Sequence, residues 1–218
     1  MNNISKLVQL DKALLKPYYK YFFVIFITPV LMAFSYKDII LSIVFATIMI
    51  AMTSSYTFSV AEKNDLNRLY GLLPVSKKDI VAARYIFTAL LGLVAILLSV
   101  IFNSAVLAMI KVPFQTDEVI IGIGVGILLY SLFTAIQLPG FFKFGALKGK
   151  LFSFVPLIGL FLMGFIAKSL NLLSGSKASS LAILNSPFGI LMIAIILAVV
   201  LYGISIGISQ RIYDKMEL

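Results

Sequence analysis

Six uncharged, strongly apolar runs alternate with short polar gaps along this chain, at residues 21–36, 39–61, 85–110, 119–138, 151–167 and 188–208. An α-helix rises 1.5 Å per residue, so about 20 apolar residues cross a hydrocarbon core ~30 Å thick. The pattern predicts an all-α integral membrane protein with six transmembrane helices. Ahead of the first run, Ile4, Leu7, Val8, Leu14 and Leu15 recur at helical spacing. Lys6, Asp11, Lys12 and Lys16 are assigned to the opposite face. Residues 1–20 are therefore predicted as an N-terminal amphipathic helix lying in the membrane interface, ended by Pro17, with Tyr18, Tyr19 and Tyr21 at headgroup level.

Charge adds an orientation to this pattern. The N-terminal segment and residues 62–84, 141–150 and 209–218 hold 4, 5, 3 and 2 Lys or Arg, against Lys37, Lys111, Lys168 and Lys177 in the intervening gaps. Basic residues stay on the cytoplasmic side during insertion, so both termini and the two basic loops are expected to face the cytoplasm. A basic start followed by an apolar run also resembles a signal peptide, and Ala33-Phe34-Ser35 has the look of a cleavage site. The length of the charged segment and Pro29 inside the run favour an uncleaved first helix.

Composition agrees. Hydrophobic residues make up 61% of the chain and mean hydropathy is +1.07, well above the roughly 45–50% apolar content of soluble domains. A single transmembrane domain over residues 1–218 accounts for the whole length, and no loop is long enough for a second one. The net charge of +9 sits beside membrane ends, where topology and anionic membrane lipid explain it better than nucleic acid does. The absence of Cys and His removes disulfides, thiol chemistry and the usual metal-ligand sets.

Polar chemistry within the runs is sparse. No Asp, Glu, Lys or Arg lies inside any of them, which argues against a proton or sodium relay. Asn103, Gln137 and the cluster Thr53, Ser54, Ser55, Thr57 and Ser59 are read first as helix-packing groups, as are Gly122, Gly124, Gly126, Gly203 and Gly207. The nearest string to a P-loop, Gly145 to Leu151, is one residue short and ends in Leu, so it does not bind a nucleotide phosphate by that device. No catalytic set of Ser, His and Asp and no paired carboxylates occur, so the chain is not expected to be an enzyme.

The loop at 62–84 carries the most information. Residues Asn64 to Tyr70 read as a short helix exposing Leu66, Leu69 and Tyr70 on one side, with Gly71 as its stop. Pro74 breaks the chain. Ser76 then caps a new helix, Asp79 adds negative charge to its first turn, and Arg84 and Tyr85 lead straight into the third run. From physics alone the loop serves equally as a docking knob or as an interfacial connection.

At this loop the sequence resembles the permease subunits of ABC-2 type exporters. The resemblance rests on Glu62, Lys63, Asn64, Leu66, Leu69, Leu73, Pro74, Val75, Ser76, Lys77, Ile80, Val81, Arg84 and Tyr85. It covers about 25 residues, and the six runs with an N-terminal interfacial helix extend it to the whole chain. It implies that 62–84 is a coupling loop fitted to a separate cytoplasmic ATP-binding subunit, with Leu66, Arg68, Leu69, Tyr70 and Arg84 making or transmitting the contact. ATP and magnesium would be held by that partner, with no cofactor on this chain. The resemblance further implies a second permease half, identical or related, and a place in a bacterial cytoplasmic membrane. Small re-entrant helices before the last run, within Asn171–Ser186, belong to the same expectation. The implied activity is ATP-driven export of a hydrophobic or amphipathic cargo, a peptide or drug. The alternatives are a non-transporting membrane scaffold and, less favoured, an ion-driven carrier.

Overall fold

A computed structural model describes residues 3–66, 69–70, 74–169 and 186–216, and every regular element among them is helical. Eight α-helices follow in order: α1 Asn3–Leu15, α2 Tyr19–Tyr36, α3 Ile39–Thr53, α4 Ser55–Lys63, α5 Lys77–Met109, α6 Thr116–Gly149, α7 Val155–Ser169 and α8 Pro187–Asp214. The starts of α3, α5 and α8 are marked by side chains that accept from otherwise unpaired amides. Asp38 Oδ1 accepts from Leu41 N at 3.0 Å, Ser76 Oγ from Asp79 N at 3.1 Å and Ser186 Oγ from Gly189 N at 3.0 Å. The expected cap at Ser76 is therefore present.

Among the described residues, four helical stretches are long and apolar enough to cross a membrane: Ile39–Lys63, Lys77–Met109, Thr116–Leu162 and Pro187–Asp214. The expected first run, 21–36, passes that test only together with the preceding helix, across a 52° bend. Pro17 does end α1, but a 3₁₀ turn at Lys16–Tyr18 passes the chain directly into α2. The expected run 119–138 and residues 151–162 of the expected run 151–167 fall within the single 47-residue stretch Thr116–Leu162. Gly145 interrupts it with φ 73° and ψ −176°, and a 3₁₀ turn follows at Lys150–Ser153. Of the expected re-entrant segment Asn171–Ser186, all but Ser186 lies outside the described residues, as do Arg68 and the expected helix stop at Gly71.

α6 lies at the centre, packed along α8 and α3, with α5 against α3 and α8. Close approach explains the glycines of α6. A side chain at Gly122 would meet the Ile40 backbone at 3.3 Å, and one at Gly126 would meet Thr47 at 3.2 Å, both on α3. At Gly124 it would meet the Leu191 backbone of α8 at 3.2 Å. Gly203 and Gly207 have nothing within 4 Å of an added Cβ, so their expected packing role finds no partner within the described chain.

Buried residues form three layers along the bundle. At the far end, Ile39, Ile43 and Leu107 meet. In the middle, Ile50, Ala51, Ala95, Tyr130 and Phe133 do. The largest layer lies at the end carrying residues 62–84, with Phe58, Leu66, Tyr70, Phe141, Phe142 and Tyr213 among its members. Many Leu, Ile, Val and Phe side chains on α2, α5 and α8 point outward, as a surface solvated by lipid tails requires.

Candidate functional site

The residues singled out in the 62–84 loop sit on a polar framework built into the largest core layer. Arg84, one turn into the apolar part of α5, is almost completely buried. Its Nη1 lies 3.1 Å from Asp11 Oδ1 on α1, and its guanidinium stands 4.8 Å from the Phe58 ring centroid. Among the described residues this is the one ion pair. Removal from water raises the Asp11 pKa above the ordinary carboxylate range, while the Arg84 charge pulls it back. Tyr70 beside them is also shifted upward, burial being the main cause.

Here the sequence expectation is corrected in two places. Asp11 does not share the lysine face of α1. It is buried with Leu7 and Leu15, because positions 7, 11 and 15 are successive turns of one helix face. Its spacing from those leucines was the signal available in the sequence. The second correction concerns the expected exposed knob. Leu66 and Tyr70 are only 5% and 4% exposed and belong to the core layer, whereas Leu69 is 41% exposed. Residues 66 and 70, four apart, turn inward together against Phe58, Phe142 and Tyr213 and leave Leu69 at the rim.

A second anchor ties this loop to the bend in α6. Glu62 Oε1 accepts from Ala146 N at 2.5 Å, so the carboxylate caps the amide that follows the break at Gly145. The backbone at Gly145 lies in a region that only glycine occupies readily. A side chain there would also run into Glu62 Oε1. A cavity of about 130 Å³ opens between these anchors, with Glu62, Tyr70, Arg84, Gly145 and Tyr213 on its wall. Lys77 Nζ, at the start of α5, donates to the Asp214 and Met216 carbonyls at 3.2 and 2.5 Å. The part played by Glu62 and Gly145 was not visible in the sequence, since it depends on two loops meeting in space.

From Arg84 a chain of hydroxyls continues into the bundle. Tyr85 OH lies 2.5 and 2.8 Å from Ser205 Oγ and Ser209 Oγ on α8, and Ser205 Oγ donates to the Ala135 carbonyl on α6 at 2.6 Å. Tyr202 OH meets Thr134 Oγ1 at 2.9 Å, and Tyr130 OH donates to the Thr88 carbonyl at 2.6 Å. The hydroxyls of Thr53, Thr57 and Ser59 bond back to their own helix. Ser54 Oγ donates to Gln137 Oε1 at 2.9 Å, and Asn103 Nδ2 to Ser99 Oγ at 2.8 Å. Of these groups, Ser54 and Gln137 join the α3–α4 junction to α6, while the bonds of Thr53, Thr57, Ser59 and Asn103 stay within their own helices, so the expected helix-to-helix role is seen only at Ser54 and Gln137 among them. Among the described residues no group of His, Cys, Asp or Glu side chains is arranged to hold a metal ion.

A helical bundle with several membrane-crossing stretches, whose largest buried layer anchors the loop between two of them, defines a multi-pass membrane protein of the transporter-component type. The chain belongs to the ABC-2 family: the profile described as ABC-2 family transporter protein matches residues 6–214. The resemblance seen in the loop thus extends over nearly the whole chain, and this is a membrane permease of an ABC transporter, not itself a catalytic enzyme. Neither a curated protein nor a solved structure gives a significant match.

Proposed function

We propose that this chain is the permease half of an exporter of hydrophobic or amphipathic cargo, a peptide or drug, in a bacterial cytoplasmic membrane. It crosses the membrane six times, keeps both termini in the cytoplasm and pairs with a second permease half, identical or related. ATP and magnesium are bound by a separate ATPase subunit that docks on residues 62–84. The observation that carries this reading is the mounting of that loop. Arg84 and Glu62 fix its two ends to α1 and α6, while Leu69 projects from it. Arg68 would join Leu69 in the docking contact, and buried Leu66 and Tyr70 would set the knob's position from behind. Because Ser76 to Met109 is one uninterrupted helix with its cap, movement of the knob by nucleotide-driven closure of the ATPase would tilt α5 as a lever.

Leu69→Asp tests the assignment. The side chain is exposed, so the fold should survive. The tagged variant purified in mild detergent should lose the P-loop ATPase that accompanies the wild type, together with cargo-stimulated hydrolysis. Undiminished recovery of the ATPase and undiminished coupling would remove Leu69 from the contact. Recovery of the wild-type chain with no nucleotide-hydrolysing partner would overturn the exporter reading itself.

A further inference from the structure

A groove of about 520 Å³ runs along the outside of the bundle between α1, α2, α3 and α5. Its floor is a single stripe of α5: Phe87, Leu90, Leu91, Val94, Ala95 and Leu98. These positions repeat at three- and four-residue intervals, so they form one continuous helix face. The stripe extends over twelve residues, about 17 Å, which is roughly half of a ~30 Å hydrocarbon core. The walls are also apolar, with Phe26 from α2 and Ile50 from α3. One end alone is polar, where Lys12 and Tyr19 stand. The Tyr19 hydroxyl donates to the Lys12 carbonyl at 3.3 Å, which ties the two sides of that mouth together.

The position of Lys12 is set by its neighbour. Asp11 pairs with Arg84 at 3.1 Å, which holds α1 beside the α5 turn just before Phe87. Lys12 therefore sits where the apolar stripe begins, at the membrane surface end. The same pairing turns the one carboxylate of α1 inward. Lys6 and Lys12 are left on the exposed surface without an acidic neighbour on that helix, and Lys16 is exposed in the 3₁₀ turn that follows. A half-membrane-deep apolar channel under a lone-signed basic mouth matches a molecule with an acyl chain and an anionic headgroup.

We propose that this groove is a binding site for one anionic phospholipid, its acyl chain along Phe87–Leu98 and its phosphate at Lys12. The site goes beyond the export reading: it is a lipid site on the outer face of α1, α2, α3 and α5, and its lining includes no residue of 62–84. Loading it would fasten α1, and through Asp11 and Arg84 the loop end of α5, to the leaflet. Anionic lipid would thereby stabilise the arrangement in which 62–84 is presented.

Native mass spectrometry of the full chain, released from nanodiscs of equal phosphatidylglycerol and phosphatidylcholine, tests this without the ATPase, so failure of the export reading would leave the result untouched. The wild type should retain phosphatidylglycerol about fivefold over phosphatidylcholine, the factor that one basic residue at a membrane surface supplies. Lys12→Gln should bring that ratio near one. Leu90→Trp, at a half-exposed position, should fill the groove and reduce retention of both lipids. Lys37→Gln, at the other end of the first helix hairpin, should leave the preference intact. Equal retention of the two lipids by the wild type, a preference untouched by Lys12→Gln, or full retention by Leu90→Trp would each overturn the proposal. Circular dichroism of each variant confirms that lost binding is not lost fold.

Discussion

The buried pair of Arg84 and Asp11 joins the start of α5 to α1, and its energetics are set by competition. Arginine stays charged at any accessible pH, whereas Asp11 can take up a proton. Burial raises the Asp11 pKa in the folded chain above its unfolded value. The stability linked to its protonated form is therefore fully present below the unfolded pKa and is lost as pH rises through the folded one. Asp11→Asn, which keeps the shape without the titration, should match the wild type in thermal stability at acid pH. It should gain on the wild type as pH rises to neutrality, and a difference independent of pH would refute this account. Asp11→Leu is another matter, because it removes the side-chain oxygen that faces the Arg84 guanidinium as well as the charge, and leaves that guanidinium without a polar partner there. Combined with Arg84→Met it should cost less than the two single changes added together, with a coupling of about 1–3 kcal/mol in a double-mutant cycle. Gly145 gives a second test at this scale. Gly145→Ala places a side chain both in a disfavoured backbone region and against Glu62 Oε1. A loss of about 1–3 kcal/mol is expected, and Glu62→Ala should cost about 1 kcal/mol as a lost cap. Unaltered melting of Gly145→Ala in detergent would mean that the bend needs no glycine.

Among the elements, α5 is the one whose form implies a mechanical role. Its 33 residues, about 50 Å of helix, outrun the membrane and carry the loop junction, Arg84 and Tyr85 on one rigid body. Ala82→Pro, two residues before Arg84, would break that body at a cost of about 3 kcal/mol. The ATPase should still co-purify, since Leu69 remains in place, while transport and cargo-stimulated hydrolysis fall away. Normal transport by this variant would show that motion passes by another route. Much of this element was legible beforehand: the cap at Ser76, the turn at Asp79 and the run through Tyr85 are local features, and local features are written in adjacent residues. Asp11 and the inward turn of Leu66 and Tyr70 were misread for the opposite reason. The four-residue spacing of Asp11 from Leu7 and Leu15 put it on the apolar face, but the partner that accompanies an acid buried there, Arg84, lies 73 positions away. The Glu62 cap likewise joins residues 84 apart in sequence, and no periodicity encodes such a meeting.

On the scale of the whole molecule, the number of crossings turns on the stretch Thr116–Leu162. At 47 residues a straight helix would be about 70 Å long, more than twice the ~30 Å hydrocarbon core. The break at Gly145 and the 3₁₀ turn at Lys150–Ser153 divide it where Lys143, Lys148 and Lys150 cluster. Basic residues at a bend between two apolar halves are the arrangement that keeps a hairpin's connection on the cytoplasmic side. We therefore expect α6 and α7 to cross in opposite senses, bringing Ser186 to the outer face before α8 returns. The chain has no cysteine, so each introduced cysteine reports alone. In intact cells, a membrane-impermeant maleimide should label Lys37→Cys, Asp117→Cys and Ser186→Cys. Leu69→Cys and Leu147→Cys, both exposed on the loop end, should react only after permeabilisation. Labelling of Leu147→Cys from outside would reverse the orientation that the basic loops imply. Labelling of Ser186→Cys only after permeabilisation would show that α7 does not cross and that the bundle spans the membrane fewer than six times, with the basic bend at 143–150 lying on the same side as the start of α8.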